Sequence, residues 1–267
     1  MIRDITLGQY YATDSPIHRL DPRVKIIGTF LFIVELFLVH YLWVFGLCAF
    51  ALAVTVILSK VPFSFMMRGM KPVLFILVLT FFINMFMIQG RILWQWKVFK
   101  ITEEGLQTAV FMAIRLILLI VSSSLLTLTT KPLALTDGME RLLAPLSKIG
   151  VPTHEIAMMM SIALRFIPML LEETDKIIKA QQARGADFES GNIIRRSKAM
   201  VPILVPLFVS SFHIAQDLAN AMEARCYRGG KGRTRMNAIV MDRYDYLVLV
   251  LLGAFLALLL FIRIRFH

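Results

Sequence analysis

"YDYLVLVLLGAFLALLLFI", residues 244–262, is a nineteen-residue run made almost wholly of aliphatic and aromatic side chains. As a helix rising 1.5 Å per residue it reaches about 30 Å, the thickness of a bilayer's hydrocarbon layer. Tyr244 and Tyr246 open it and Arg263 and Arg265 close it, the residue types that sit at membrane interfaces. A soluble fold has no use for such a segment, so this stretch decides for a membrane protein.

The remainder of the chain agrees. Of 267 residues, 58% are hydrophobic, with 20 Phe, 16 Met and a mean hydropathy of +0.71, more apolar material than a soluble core consumes. Four earlier segments, roughly 24–42, 43–59, 72–90 and 106–130, are long enough to cross as well, the second being the shortest. The expected fold class is an all-α integral membrane protein with about five transmembrane helices.

Charge orients it. The net charge is +11, from 29 Lys and Arg against 18 Asp and Glu. Arg19, Arg23 and Lys25, then Lys60, Arg68 and Lys71, then Lys131 fall at every other membrane face, which predicts the N-terminus and the 60–71 loop inside. The 91–104 loop runs against this, with Arg91, Lys97 and Lys100 only partly offset by Glu103 and Glu104. Five spans put the C-terminus outside; Arg263 and Arg265 there oppose the rule, so an even count with one central run crossing stays open. The N-terminus lacks the basic-then-apolar build of a cleaved signal and is expected to remain on the mature protein.

Between Lys131 and Arg243 the texture changes. Apolar runs are broken by Pro132, Pro145, Pro152, Pro168, Pro202 and Pro206 and separated by segments rich in both signs of charge. Arg165 and Pro168 are expected to interrupt the run 155–171, and Pro202 and Pro206 to kink the run 199–215. Helices lying along or obliquely to the inner membrane surface fit this pattern better than clean spans. The chain thus divides into a membrane domain with about four spans (1–130), an interfacial and cytoplasmic region (131–243) and a last transmembrane helix (244–267).

Within that central region two arginines repeat one build. "LLEETDKIIKAQQA" is strongly helix-forming and Gly185 supplies a stop after Arg184; Leu170, Thr174, Ile177, Gln181 and Arg184 share a face. "FHIAQDLANAMEA" leads likewise to Arg225, on a face with Ile214, Leu218 and Ala221 or Met222, and is expected to stop less sharply, by Gly229 and Gly230. Ser211, Ala215 and Ala219 add a ridge of small residues that another helix can approach. One cation near a helix C-terminus is explained by the helix dipole, worth about 0.3–1 kcal/mol. Two copies suggest more: a guanidinium on a slim helix end can enter a groove and grip a carboxylate in bidentate fashion. Two tips imply two similar grooves on a pair of homologous soluble partners.

With these motifs, Ala183-Arg184-Gly185 and Ala224-Arg225-Cys226, and with the N-terminal "HRLDPRVKI" (18–26) carrying Asp21, Pro22 and Arg23, the chain resembles the transmembrane subunits of energy-coupling factor transporters, the CbiQ-like family, over nearly its whole length. The resemblance implies membrane helices plus long cytoplasmic coupling helices in a bacterial multi-pass membrane protein. It implies that Arg184 and Arg225 dock into two ABC-type ATPase subunits, and that the coupling helices support a separate substrate-binding integral membrane subunit that takes up vitamins or other micronutrients. It implies no catalysis, no cofactor and no nucleic acid partner in this chain. Cys226 replaces the family's usual glycine, which argues against a tight left-handed turn there while leaving the role of Arg225 intact.

Other chemistries find less support. "RGGKGRTR" (228–235) lacks the phosphate-loop spacing and reads as a basic loop near anionic headgroups. Asp187 and Glu189 beside Arg184 would suit a membrane-embedded phosphotransferase only with further carboxylates to hold a divalent ion. His18, His40, His154, His213 and His267 are scattered and form no metal pattern, and Cys48 and Cys226 no disulfide framework. A self-contained permease remains the alternative reading. Glu35 and Arg115 inside spans mark an ion or substrate path, a structural pairing or a wet cleft; Asn84, Gln89 and Ser122 to Ser124 serve as interhelical hydrogen-bond partners.

Overall fold

A computed structural model describes residues 10–39, 41–96, 99–186, 188, 193–229 and 240–266, excepting the side chains of 68, 71, 92–101, 193–199 and 266. The chain forms two compact units, one built on Gly8–Arg141 with Ala238–His267, the other on Leu142–Asn237. His40, Lys97, Asp187, Glu189, His267 and residues 230–235 lie outside the described residues.

In the first unit a short helix, α1 (Pro16–Arg19), precedes α2 (Pro22–Leu38), which starts where it does because Asp21 caps it and Pro22 sits at its first position. Next come α3 (Leu42–Ser59), ended by Lys60 in the left-handed region at φ 55°, and α4 (Phe63–Met87). A two-stranded antiparallel ribbon, β1 (Ile92–Trp96) with β2 (Phe99–Thr102), then leads into α5 (Glu103–Thr129). Thr102 caps α5 by accepting from the Gly105 N–H, and Glu103 and Glu104 lie in its positively polarised first turn. The ribbon is the one non-helical element among the described residues.

α5 packs on α2, α3 and α4, and α2 also on α9 (Arg243–Phe266). Phe32 and Leu36 of α2, Phe45 and Cys48 of α3, Leu118 of α5 and Leu259 of α9 bury one another at the centre. α6 (Pro132–Leu143) approaches α2 closely: a Cβ on Gly138 would stand 3.0 Å from the Pro22 Cβ, so glycine is what permits the approach.

The second unit holds a 3-10 turn at Ala144–Ile149 and two long helices, α7 (Thr153–Ala183) and α8 (Ile193–Ala224). Here the structure corrects one part of the sequence reading: Arg165 and Pro168 do not interrupt α7. α8 contains Pro202 and Pro206 and continues as one helix. Each proline removes one backbone donor, a loss that long apolar helices absorb when neighbouring groups satisfy the freed carbonyl.

The result is an all-α membrane protein, and five of its helices are long and apolar enough to cross a bilayer. The number matches expectation but the membership differs: α3, α5, α7, the Met200–Ala224 part of α8, and α9. The expected spans 24–42 and 72–90 correspond to α2, whose 17 residues carry Arg23, Lys25 and Glu35, and to α4, whose 25 residues include the apolar run Pro72–Met87.

Candidate functional site

The two arginine motifs adopt one backbone geometry. At the end of α7 the Gly185 N–H donates to the Gln182 carbonyl (2.9 Å) and the Ala186 N–H to the Gln181 carbonyl (3.0 Å), with Gly185 at φ 89°. At the end of α8 the Cys226 N–H donates to the Glu223 carbonyl (2.8 Å) and the Tyr227 N–H to the Met222 carbonyl (3.0 Å), with Cys226 at φ 57°. Both are Schellman caps, and the arginine is the cap residue in each. The second helix therefore stops at Ala224 and does not run on towards Gly229. The left-handed turn argued against at Cys226 is present, because the cap's two hydrogen bonds outweigh the cost of about 1–2 kcal/mol for an L-residue there.

Leading to each tip is a stripe of half-buried residues: Leu170, Thr174, Ile177 and Gln181 on α7, Ile214, Leu218 and Met222 on α8. At the end of each stripe the side chain emerges. Arg184 and Arg225 are exposed, and neither guanidinium has a hydrogen-bond or ion-pair partner among the described residues. Ala183 and Ala224 beside them are also exposed, so nothing bulky flanks either cation on its helix.

Both helices change character along their length. Exposed large apolar side chains on α7 end at Met169 and on α8 at Phe212, which is 73% exposed. From those points 15 and 13 residues remain to the arginines, a reach of roughly 20 Å at helical rise. The tips also stand well apart. Gln181 donates to the Pro202 carbonyl at 3.2 Å, fixing the end of α7 beside the first third of α8. Twenty-three further residues, roughly 35 Å of helix, separate that contact from Arg225. Such spacing suits two separate sockets and forbids a single small-molecule site containing both cations.

The N-terminal signature behaves in the opposite way. Asp21 is 3% exposed; its carboxylate accepts from the Arg23 N–H (2.8 Å), Nε (3.2 Å) and Nη2 (3.1 Å). Its own N–H donates to Asp245 Oδ1 (2.8 Å), while Asp245 Oδ2 accepts from the Asp242 N–H (2.8 Å). Lys25 Nζ donates to the His18 and Thr129 carbonyls, both at 3.0 Å. His18 Nε2–H donates to the Tyr11 carbonyl (3.0 Å), so its Nδ1 accepts from the Ser15 hydroxyl (2.7 Å); burial pushes the imidazole below its usual pKa, favouring the neutral ring. This knot joins the starts of α2 and α9 to the end of α5. Asp245, 3% exposed, is the member sequence reading passed over, since its partner lies 224 residues away; its one signal is a carboxylate inside the first turn of a span.

Glu35 and Arg115 form no pair with each other. Arg115 Nη2 donates to the Val39 carbonyl (3.1 Å), and the guanidinium lies over the Phe37 and Phe45 rings at 5.4 and 5.7 Å. Glu35 is fully buried, and neither of its oxygens has a hydrogen bond. No group of three or more His, Cys, Asp or Glu side chains converges among the described residues.

Known proteins bear on this arrangement. The family described as Cobalt transport protein (CbiQ) matches residues 13–236. The chain is 57% identical to a protein of Ruminiclostridium cellulolyticum named Energy-coupling factor transporter transmembrane protein EcfT, over 93% of both chains. Proteins of the same name from Clostridium kluyveri, 54% identical over 92% of each chain, and from Bacillus subtilis, 49% identical over 98% of this chain and 100% of that one, are similar throughout.

Proposed function

The chain belongs to the cobalt transport protein (CbiQ) family and is the transmembrane component of an energy-coupling factor transporter; from that premise we propose that it couples two ABC-type ATPase subunits to a separate substrate-binding membrane subunit that imports a vitamin or other micronutrient. Arg184 and Arg225, with Ala183, Gly185, Ala224 and Cys226 shaping the tips, dock one ATPase each on the cytoplasmic side. The ATPases hydrolyse the nucleotide; this chain contributes force transmission and no catalysis. The apolar halves of α7 and α8, with Met159, Phe208 and Phe212 exposed, provide the surface that meets the bilayer and the substrate-binding subunit.

The observation that carries this reading is the pairing of two alike, exposed, unpartnered guanidinium tips, roughly 35 Å of helix apart. A cation serving only the helix dipole has no need of a shared cap. A guanidinium held on a rigid tip is suited to bidentate capture of a carboxylate in a groove.

The test is copurification. Arg184→Glu together with Arg225→Glu is expected to abolish recovery of both ATPases with the tagged chain, since an unpaired or repelled charge in such a contact costs about 2–5 kcal/mol or more. Membrane insertion should be unchanged. Full assembly and uptake by the double variant would refute the docking role.

A further inference from the structure

We propose that the membrane unit carries a lipid site: a cleft bounded by α2, α3, α5 and α9 that takes one acyl chain of an anionic phospholipid, whose phosphate is held by Lys25. The cleft follows from the packing. α2 and α3 are joined by a short connection at Val39, and near it Leu36, Phe45 and Cys48 belong to one buried cluster. Toward the start of α2 they part and leave a cavity of about 580 Å³, within the range that admits a small ligand. Gly28 and Phe32, Ala51 and Thr55, Leu126 and Leu251 represent its four walls.

These walls are mostly apolar; besides Lys25, their polar side chains are the hydroxyls of Thr29, Thr55, Ser122 and Thr129. The Thr55 hydroxyl is spent on the Ala51 carbonyl at 2.9 Å and the Thr129 hydroxyl on the Leu125 carbonyl at 2.8 Å. Lys25 is the one cation on the lining. Its ammonium gives two of its three protons to the His18 and Thr129 carbonyls, so one donor has no partner among the described residues and can serve a ligand. The nearby carboxylates do not claim it: Asp21 is taken by Arg23, and Asp245 by two backbone N–H groups.

Lys25 lies in the first turn of α2, where the chain enters the apolar layer, and the lining continues to Phe32, about 10 Å deeper along the helix. The occupant must therefore be anionic at one end and apolar along the rest. An anionic phospholipid has that form and is always at hand in the membrane. The apolar flank of a partner's helix would leave the Lys25 donor unsatisfied.

Native mass spectrometry of the full chain, exchanged into phosphatidylglycerol or phosphatidylcholine of identical acyl chains, tests the site. One phosphatidylglycerol should be retained per chain, with a preference of about fivefold over phosphatidylcholine, the increment expected from one cation at a headgroup. Lys25→Gln should erase the preference; Ala51→Phe, or Leu251→Trp at the more exposed rim, should reduce retention of both lipids. A phosphatidylglycerol with a photoreactive acyl chain should label residues 47–58 and 248–255. Equal retention of the two lipids by the unaltered chain, undiminished retention in both filled variants, or labelling of a partner polypeptide through a cysteine placed at Thr55 in the assembled complex would each overturn the proposal. Reversing Arg184 and Arg225 should leave lipid retention intact, so failure of the docking reading and failure of this one are separable.

Discussion

The knot around Asp21 and the tips around Arg184 and Arg225 both concentrate charge, and they differ in where that charge is answered. In the knot each carboxylate is buried and each partner lies in the same chain, as with Asp21 beside Arg23 and Asp245 beneath the Asp21 N–H. At the tips the backbone is tied by two cap hydrogen bonds while the guanidinium groups are exposed and have no partner among the described residues. A buried, satisfied ion holds a fold together; an exposed cation on a stiff support is addressed to another molecule. Removing the first kind should cost stability, and removing the second kind assembly.

The sharpest separation comes from truncating one tip at a time. Arg184→Ala or Arg225→Ala is expected to weaken capture of one ATPase by about 2–5 kcal/mol in a binding titration while the melting temperature of the isolated chain stays put. Matched shifts in melting temperature would dissolve the distinction. Next in size, Asp245→Ala should lower unfolding stability by about 1–3 kcal/mol, since it strands one buried and one part-buried N–H that had a charged acceptor, and should leave ATPase affinity per folded chain unchanged.

Smaller effects test the caps themselves. Cys226→Gly should stabilise α8 by about 1 kcal/mol and Gly185→Ala destabilise α7 by a similar amount, read by thermal denaturation. At Gly185 the cause is backbone conformation alone, because a Cβ there would meet nothing within 4 Å. The smallest effect is one of pH. His18 has a folded pKa below its unfolded value, so the unfolded chain binds the extra proton first; stability should fall as pH drops below about 6.5, and His18→Gln should flatten that slope. An acid sensitivity unchanged in His18→Gln would show that the knot does not depend on a neutral ring.

Membrane character and the helices leading to Arg184 and Arg225 were legible in sequence, because each rests on local chemistry: an apolar run, a stripe at helical spacing. The misreadings share a different cause. Pro168 looks like a break when judged by its own residues, yet α7 runs through it. Cys226 looks unfit for a left-handed turn, yet two cap hydrogen bonds impose it. Asp245 looks incidental until Asp21 folds beside it. The 92–102 ribbon went unseen because it lies in a short loop between two dominant apolar signals.

The shared cap has a bearing on energetics between encounters. Since the Gln181 and Gln182 carbonyls of α7 and the Met222 and Glu223 carbonyls of α8 are already occupied by the chain's own N–H groups, the docking role proposed above would require neither end to wind up on encounter or unwind on release. On that proposal little ordering entropy would be charged against association, and a push at either arginine would travel into the helix instead of being absorbed by fraying.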